Sequence, residues 1–177
     1  MITAYLLVSH LISDFILQPA SLVRWKMTSY RGTLFHVFIF ILVSLAVLFP
    51  FIYNYEIWIV IFLIGIVHFF TDQAKINIEL KNDPSDIPFI ADQGIHYLSL
   101  VIGGYFLDSF RLVKTEGWFG AEHYNNMYFW IILLCVIYAG YLLKIALIHK
   151  TREKVLHKII IFTFIYLIYT GTFIVVF

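Results

Sequence analysis

Apolar residues run along this chain in long blocks separated by short polar breaks. The blocks fall at roughly 1–19, 34–53, 57–76, 88–107, 127–149 and 156–177. Each is close to the roughly 17–25 residues that a bilayer-crossing helix needs. The short alternating segments that build a membrane barrel do not occur. The pattern predicts an all-α fold, a polytopic membrane bundle of about six transmembrane helices in a single domain over 1–177. Pro19 ends the first block, Asn54 marks the turn after the second, and Pro84 with Pro88 brackets the entry to the fourth.

Composition agrees with the pattern. Of 177 residues, 62% are hydrophobic and 13% charged, and the mean hydropathy is +0.89; a soluble domain is about half apolar and a quarter charged. A formal net charge of +1 gives no electrostatic case for nucleic acid. The single Cys135 cannot form an intramolecular disulfide. The opening residues lack a basic leader and carry His10 and Asp14 inside their apolar stretch, so they read as a first span and not as a cleaved signal peptide. Lys and Arg set the orientation. Arg24, Lys26, Arg31, Lys75, Lys81, Lys150, Arg152, Lys154 and Lys158 fall on one side, against Arg111 and Lys114 on the other. That places the basic side in the cytoplasm and both termini outward. Glu56 and Asp108 fall at the outer interface and read as solvated.

Seven polar residues then stand out inside the apolar blocks: His10, Asp14, His36, His68, Asp72, Asp92 and His96. An aspartate near the bilayer centre costs about 2.5–3.5 kcal/mol, so three of them need compensation. His10/Asp14, His68/Asp72 and Asp92/His96 are i, i+4 pairs, which puts both members of each on one helix face. Measured along the helices from the basic side, all seven reach a similar depth. Imidazole and carboxylate are ligands for a divalent transition metal such as zinc, manganese or iron. Seven candidates exceed one tetrahedral shell, so one or two ions are expected, with any remaining side chains orienting the ligands. Asp14, Asp72 and Asp92 are the candidate catalytic carboxylates. Lys26, Lys75, Gln73 and Gln93, near the basic mouth, are candidates to hold a substrate's charge and polar groups.

The segment His10-Leu11-Ile12-Ser13-Asp14-Phe15-Ile16-Leu17-Gln18 is followed by Lys26, His36, His68-x3-Asp72-x2-Lys75 and Asp92-Gln93-x2-His96. Over roughly the first hundred residues these motifs resemble a small bacterial integral-membrane family of unknown function whose members open with His-x3-Asp-Phe-x-Leu-Gln. More distantly the chain is similar to small membrane-bound metal-dependent hydrolases. The resemblance implies a bacterial plasma-membrane protein and, by analogy, hydrolysis. The leading expectation is a metal-dependent hydrolase acting on a phosphoester of a membrane lipid or amphiphile that enters from the cytoplasmic leaflet. A metal-activated water is its nucleophile, because no serine or cysteine stands out beside the cluster. The alternatives are a transporter for a metal ion or small solute, and a structural protein whose polar pairs pack helices. Oligomeric state is open.

Overall fold

The computed structural model describes residues 2–81 and 87–115, all of which fall in a compact unit that runs from Met1 to Leu134. Every regular element among them is helical: α1 (Ile2–Leu11), a π-helical turn (Ile12–Ile16), α2 (Ala20–Thr28), α3 (Tyr30–Val47), a 3-10 turn (Phe49–Phe51), α4 (Tyr55–Lys81) and α5 (Ile87–Asp108). The expected spans at 127–149 and 156–177, together with Pro84, Cys135 and the basic residues from Lys150 to Lys158, lie outside the described residues. So does the far part of the expected single domain.

Two of the helices, α3 with 18 residues and α4 with 27, are long and apolar enough to cross a membrane, and the bent pair α1–α2 counts as a third if taken as one span. That is fewer than the six expected for the whole chain. At 22 residues α5 has the length of a span, about 33 Å at 1.5 Å per residue. Its inward-facing Asp92, Gln93 and His96 lower its hydropathy.

The first block departs from a straight span over 1–19. Its helix ends in a π turn, closed by Leu17 N donating to Ile12 O at 2.9 Å, and the axis then bends by 90° into α2. Proline explains the break: the ring disfavours helix at the preceding Gln18, and its missing N–H costs nothing where a new helix begins. Pro19 stands just before α2 in extended conformation. The segment read from sequence as a basic loop therefore contains a helix that packs on α3. α2 ends where Ser29 N bonds Trp25 O, and the Ser29 hydroxyl caps α3 by accepting from Arg31 N at 3.2 Å.

α1 is buried on nearly all sides, as expected of a helix that is apolar all round. It packs against α3 and α5, while α4 packs between those two. Tyr5 and Leu6 join Phe40, Ile57, Ile61 and Leu100 in the apolar core. The far end is tied by polar bonds. Ile2 N donates to Asp108 Oδ1 at 3.3 Å, so Asp108, expected to be solvated, anchors the start of α1. Asn54 exchanges bonds with Val113, Nδ2 to O at 2.8 Å and N to Oδ1 at 2.9 Å. Thr115 N donates to Pro50 O at 2.7 Å.

Two close helix approaches depend on glycine. A Cβ at Gly32 of α3 would lie 2.6 Å from the Trp25 carbonyl carbon and from Lys26 N of α2, and one at Gly104 of α5 would lie 2.5 Å from Thr3 Cα of α1. Backbone cannot yield as a flexible side chain can. Gly32→Ala is expected to destabilise the fold by about 1–3 kcal/mol through overpacking. Gly94→Ala, where a Cβ meets nothing within 4 Å, is expected to stay within about 1 kcal/mol of wild type. Denaturant unfolding in detergent, followed by circular dichroism, measures both; equal behaviour of the two variants would show that α2 does not depend on this contact.

Candidate metal centre

Each helix delivers its polar residues to the same end of the bundle. His10 lies in the last turn of α1, Asp14 in the π turn and His36 in the second turn of α3, His68 is at the middle of α4 with Asp72 one turn beyond it, and Asp92 and His96 lie near the start of α5. The π turn places one residue more than an α turn between its bonded groups, which rotates Asp14 relative to an α-helical course. Asp14 is consequently shared among three helices, because its Oδ1 lies 3.3 Å from His10 Nδ1, 3.3 Å from His36 Nε2 and 3.6 Å from His68 Nε2.

All seven sequence-predicted residues converge, and six of them are buried, with Asp14 partly so. His68 is central among the imidazoles. Its ring stacks on His96 with centroids 4.1 Å apart, and lies 5.0 Å from His36 and 5.4 Å from His10. Phe40 closes the apolar side at 5.2 Å. His68 Nε2 and His36 Nε2 are 3.1 Å apart. Asp72 Oδ2 lies 3.7 Å from His68 Nε2 and 3.8 Å from His36 Nε2, while Asp72 Oδ1 lies 3.8 Å and Asp92 Oδ1 3.3 Å from His96 Nε2.

Three groups of donors are close enough to hold an ion: His10, Asp14 and His68; His36, His68 and Asp72; Asp72, Asp92 and His96, the donor atoms of each lying within 4.8 Å of one another. Several of these atoms are buried without a hydrogen bond, namely His10 Nδ1, Asp72 Oδ2, Asp92 Oδ1 and both ring nitrogens of His96. Two of them, Asp92 Oδ1 and His96 Nε2, face each other at 3.3 Å. A buried polar atom normally has a partner. Imidazole and carboxylate donors gathered this closely, with part of their hydrogen-bonding capacity unused, are chemically suited to a divalent cation.

The candidate substrate residues are placed differently from a simple mouth. Lys26 was expected on a surface loop; α2 turns it inward, 7% exposed, with Nζ 2.5 Å from Asp72 Oδ2. The Lys26 ammonium thus balances the charge of Asp72. Lys75 Nζ donates to Asp92 Oδ2 at 2.8 Å, Gln93 Nε2 donates to the same oxygen at 3.0 Å, and Gln73 donates to Thr33. With neutral imidazoles, three carboxylates and two ammonium groups leave one formal negative charge.

A family model described as a protein of unknown function, DUF3307, matches residues 2–118. The chain belongs to the DUF3307 family. Comparison with curated proteins and with solved structures gives no match. Every member of the DUF3307 cluster falls within the matched residues. The DUF3307 centre also contains residues that sequence reasoning did not place there. Gln18, in the turn before α2, has its amide nitrogen 3.1 Å from His36 Nε2, and the buried Ser13 hydroxyl donates to Asp14 Oδ1 at 3.1 Å. Gln18 was legible in the opening motif; Ser13 and Thr33 carry no signal beyond being polar in an apolar block.

The Lys26–Asp72 pair gives a test of its own. Lys26→Met leaves Asp72 short of a counter-charge and is expected to destabilise by about 3–5 kcal/mol, as when one member of a buried pair is removed. Adding Asp72→Asn to that variant is expected to recover most of the loss. Unfolding of the two single variants and the double variant in detergent measures the coupling, and purely additive losses would show that the two groups do not interact.

Proposed function

We propose that this protein is a metal-dependent hydrolase of the membrane, acting on a phosphoester of a lipid or amphiphile reached from the cytoplasmic leaflet. The observation that carries the reading is the buried set of imidazole and carboxylate donors, several without partners and facing one another. A divalent ion held there would lower the pKa of a bound water and polarise the phosphoryl group. One of the three aspartates, Asp14, Asp72 or Asp92, would take the proton from that water. Lys26 and Lys75 supply positive charge toward which an anionic phosphoester is drawn. The likeness to small membrane-bound metal-dependent hydrolases supports the same reaction class by analogy.

The whole chain, on this reading, is a six-span bundle in a bacterial plasma membrane with its basic loops in the cytoplasm and both termini outward. The bond from Ile2 N to Asp108 supports an outward N-terminus, since it holds the start of α1 at the end opposite the cluster. The ties at that far end, Asn54 to Val113 and Thr115 to Pro50, favour a site served from one side over a carrier open to both.

One observation favours a second reading, a structural role for the polar residues. Lys26 and Lys75 already balance two of the three aspartates. Hydrogen bonds between helices in membranes contribute only about 0.6 kcal/mol on average, a small return for three buried aspartates.

The deciding experiment purifies the protein in detergent without added metal or chelator and measures bound metals by elemental mass spectrometry, beside His68→Ala and Asp72→Asn variants shown to be folded. About one or two equivalents of zinc, manganese or iron, selectively lost in the variants, are expected, with metal-dependent release of phosphate or headgroup from a lipid phosphoester. A folded protein that neither contains nor takes up metal leaves the structural reading.

A further inference from the structure

The geometry points to two chemically unlike metal positions inside the one cluster: a closed, nitrogen-rich position around Asp14 and an open, oxygen-rich position at Asp72, Asp92 and His96. This rests on the metal reading above and goes further, assigning each donor to an ion and each ion to a task.

The first position is built on Asp14 Oδ1. Around a tetrahedral ion with bonds of about 2.0–2.1 Å, neighbouring donor atoms stand about 3.3–3.4 Å apart. Asp14 Oδ1 stands 3.3 Å from His10 Nδ1, 3.3 Å from His36 Nε2 and 3.6 Å from His68 Nε2, and the last two nitrogens stand 3.1 Å from each other. Four of the six donor separations of such a shell are thus close to tetrahedral values. Three imidazoles and one carboxylate suit zinc, and four protein ligands leave no place for substrate. Gln18, whose amide nitrogen lies 3.1 Å from His36 Nε2, yields that nitrogen to the ion.

The second position has three donors. Asp72 Oδ1 and Asp92 Oδ1 face His96 Nε2 at 3.8 and 3.3 Å. The opposite oxygens of the same carboxylates, Asp72 Oδ2 and Asp92 Oδ2, are held by Lys26 and Lys75 at 2.5 and 2.8 Å. The lysines therefore hold one oxygen of each carboxylate and leave the other facing His96. Asp92 Oδ1 and His96 Nε2 have no hydrogen bond, in a place where His96 is 1% exposed. Two carboxylates and one imidazole make a harder set that suits manganese or iron(II). Three protein ligands leave coordination open for water and a substrate oxygen, as catalytic sites do.

Lys26 also keeps the two positions apart. The oxygen it covers, Asp72 Oδ2, is the one that faces His36 and His68. A cation shared between those histidines and Asp72 would have to displace the ammonium, so the nitrogen donors stay with Asp14 and Asp72 stays with His96.

Titration of the metal-free protein in detergent with Co²⁺, read by visible absorption, tests the assignment. The expected result is two equivalents, one with the intense bands of tetrahedral Co²⁺ and one adding only the weak bands of higher coordination. Asp92→Asn is expected to lose the weak component and keep the intense one, and His36→Ala the reverse. Two equivalents with identical spectra, a single equivalent, or loss of both components in a folded Asp92→Asn variant would overturn the division while leaving a metal-dependent enzyme standing. Complete failure to bind Co²⁺, zinc or manganese would remove the metal reading itself. The wild-type titration decides between one class of ion and two even where a variant fails to fold.

Discussion

Three carboxylates buried at one end of an apolar bundle have to be balanced, and much of the architecture answers that requirement. Removing such a group from water carries a penalty of several kcal/mol after relaxation, too large for scattered hydrogen bonds of about half a kcal/mol to offset. The fold answers with the buried Lys26 ammonium, the partly buried Lys75 ammonium and four imidazoles around the aspartates. Lys75 reaches Asp92 from α4, the same helix that carries Asp72. Lys26 has a harder route, because nothing on the through-running helices brings a cation to Asp72 Oδ2. The chain bends by 90° after the π turn to bring α2 down against α3, and the bare backbone of Gly32 lets it come close enough for the lysine to reach in.

The two ends of the unit do different work. At the far end, aliphatic and aromatic side chains of α1, α3, α4 and α5 share one apolar core, closed by backbone and amide bonds near Asn54, Pro50 and Asp108. This end anchors α1 through Asp108 and supplies the packing that holds α1 within its neighbours. The cluster end holds the cost, and it can do so because the imidazoles it presents are already ordered by their neighbours. Phe40 lies on the boundary, part of the apolar core and packed against the His68 ring. A site held in place by an apolar clamp meets its ligand without further ordering, which is where preorganisation has its effect.

How far the sequence could be read follows from what each signal measures. Spacing of four residues identifies side chains on one helix face, so the three His/Asp pairs and their common depth were legible, and His36 joined them by depth alone. The limits of α3, α4 and α5 were legible to within a few residues, α4 running on to Lys81 and α3 stopping at Val47. The π turn and α2 were not. A proline after an apolar block marks a break equally well whether the chain leaves the membrane or turns to start another helix, and residues 20–28 are too mixed in polarity to be distinguished from a loop. Lys26 was therefore read as one more cation obeying the positive-inside rule, when burial of Leu22 and Lys26 four residues apart turns that face inward. Cross-helix partners such as Gln18 with His36 depend on the bend, and no window along the sequence contains it.

A bundle that needed only to be stable would not look like this. Replacing a buried ion pair by well-packed apolar side chains of similar volume is often neutral or stabilising, so charge pairs with nothing further to do are poor material for a core. The lysines here neutralise one oxygen each of Asp72 and Asp92 and leave the other facing His96. His96 Nε2 lies 3.3 Å from Asp92 Oδ1 and 3.8 Å from Asp72 Oδ1. Donors this close within an apolar bundle can share a proton, and they can equally be bridged by a cation. A cation bound there, as proposed, would take these groups as ligands without displacing the lysines that hold the other oxygens.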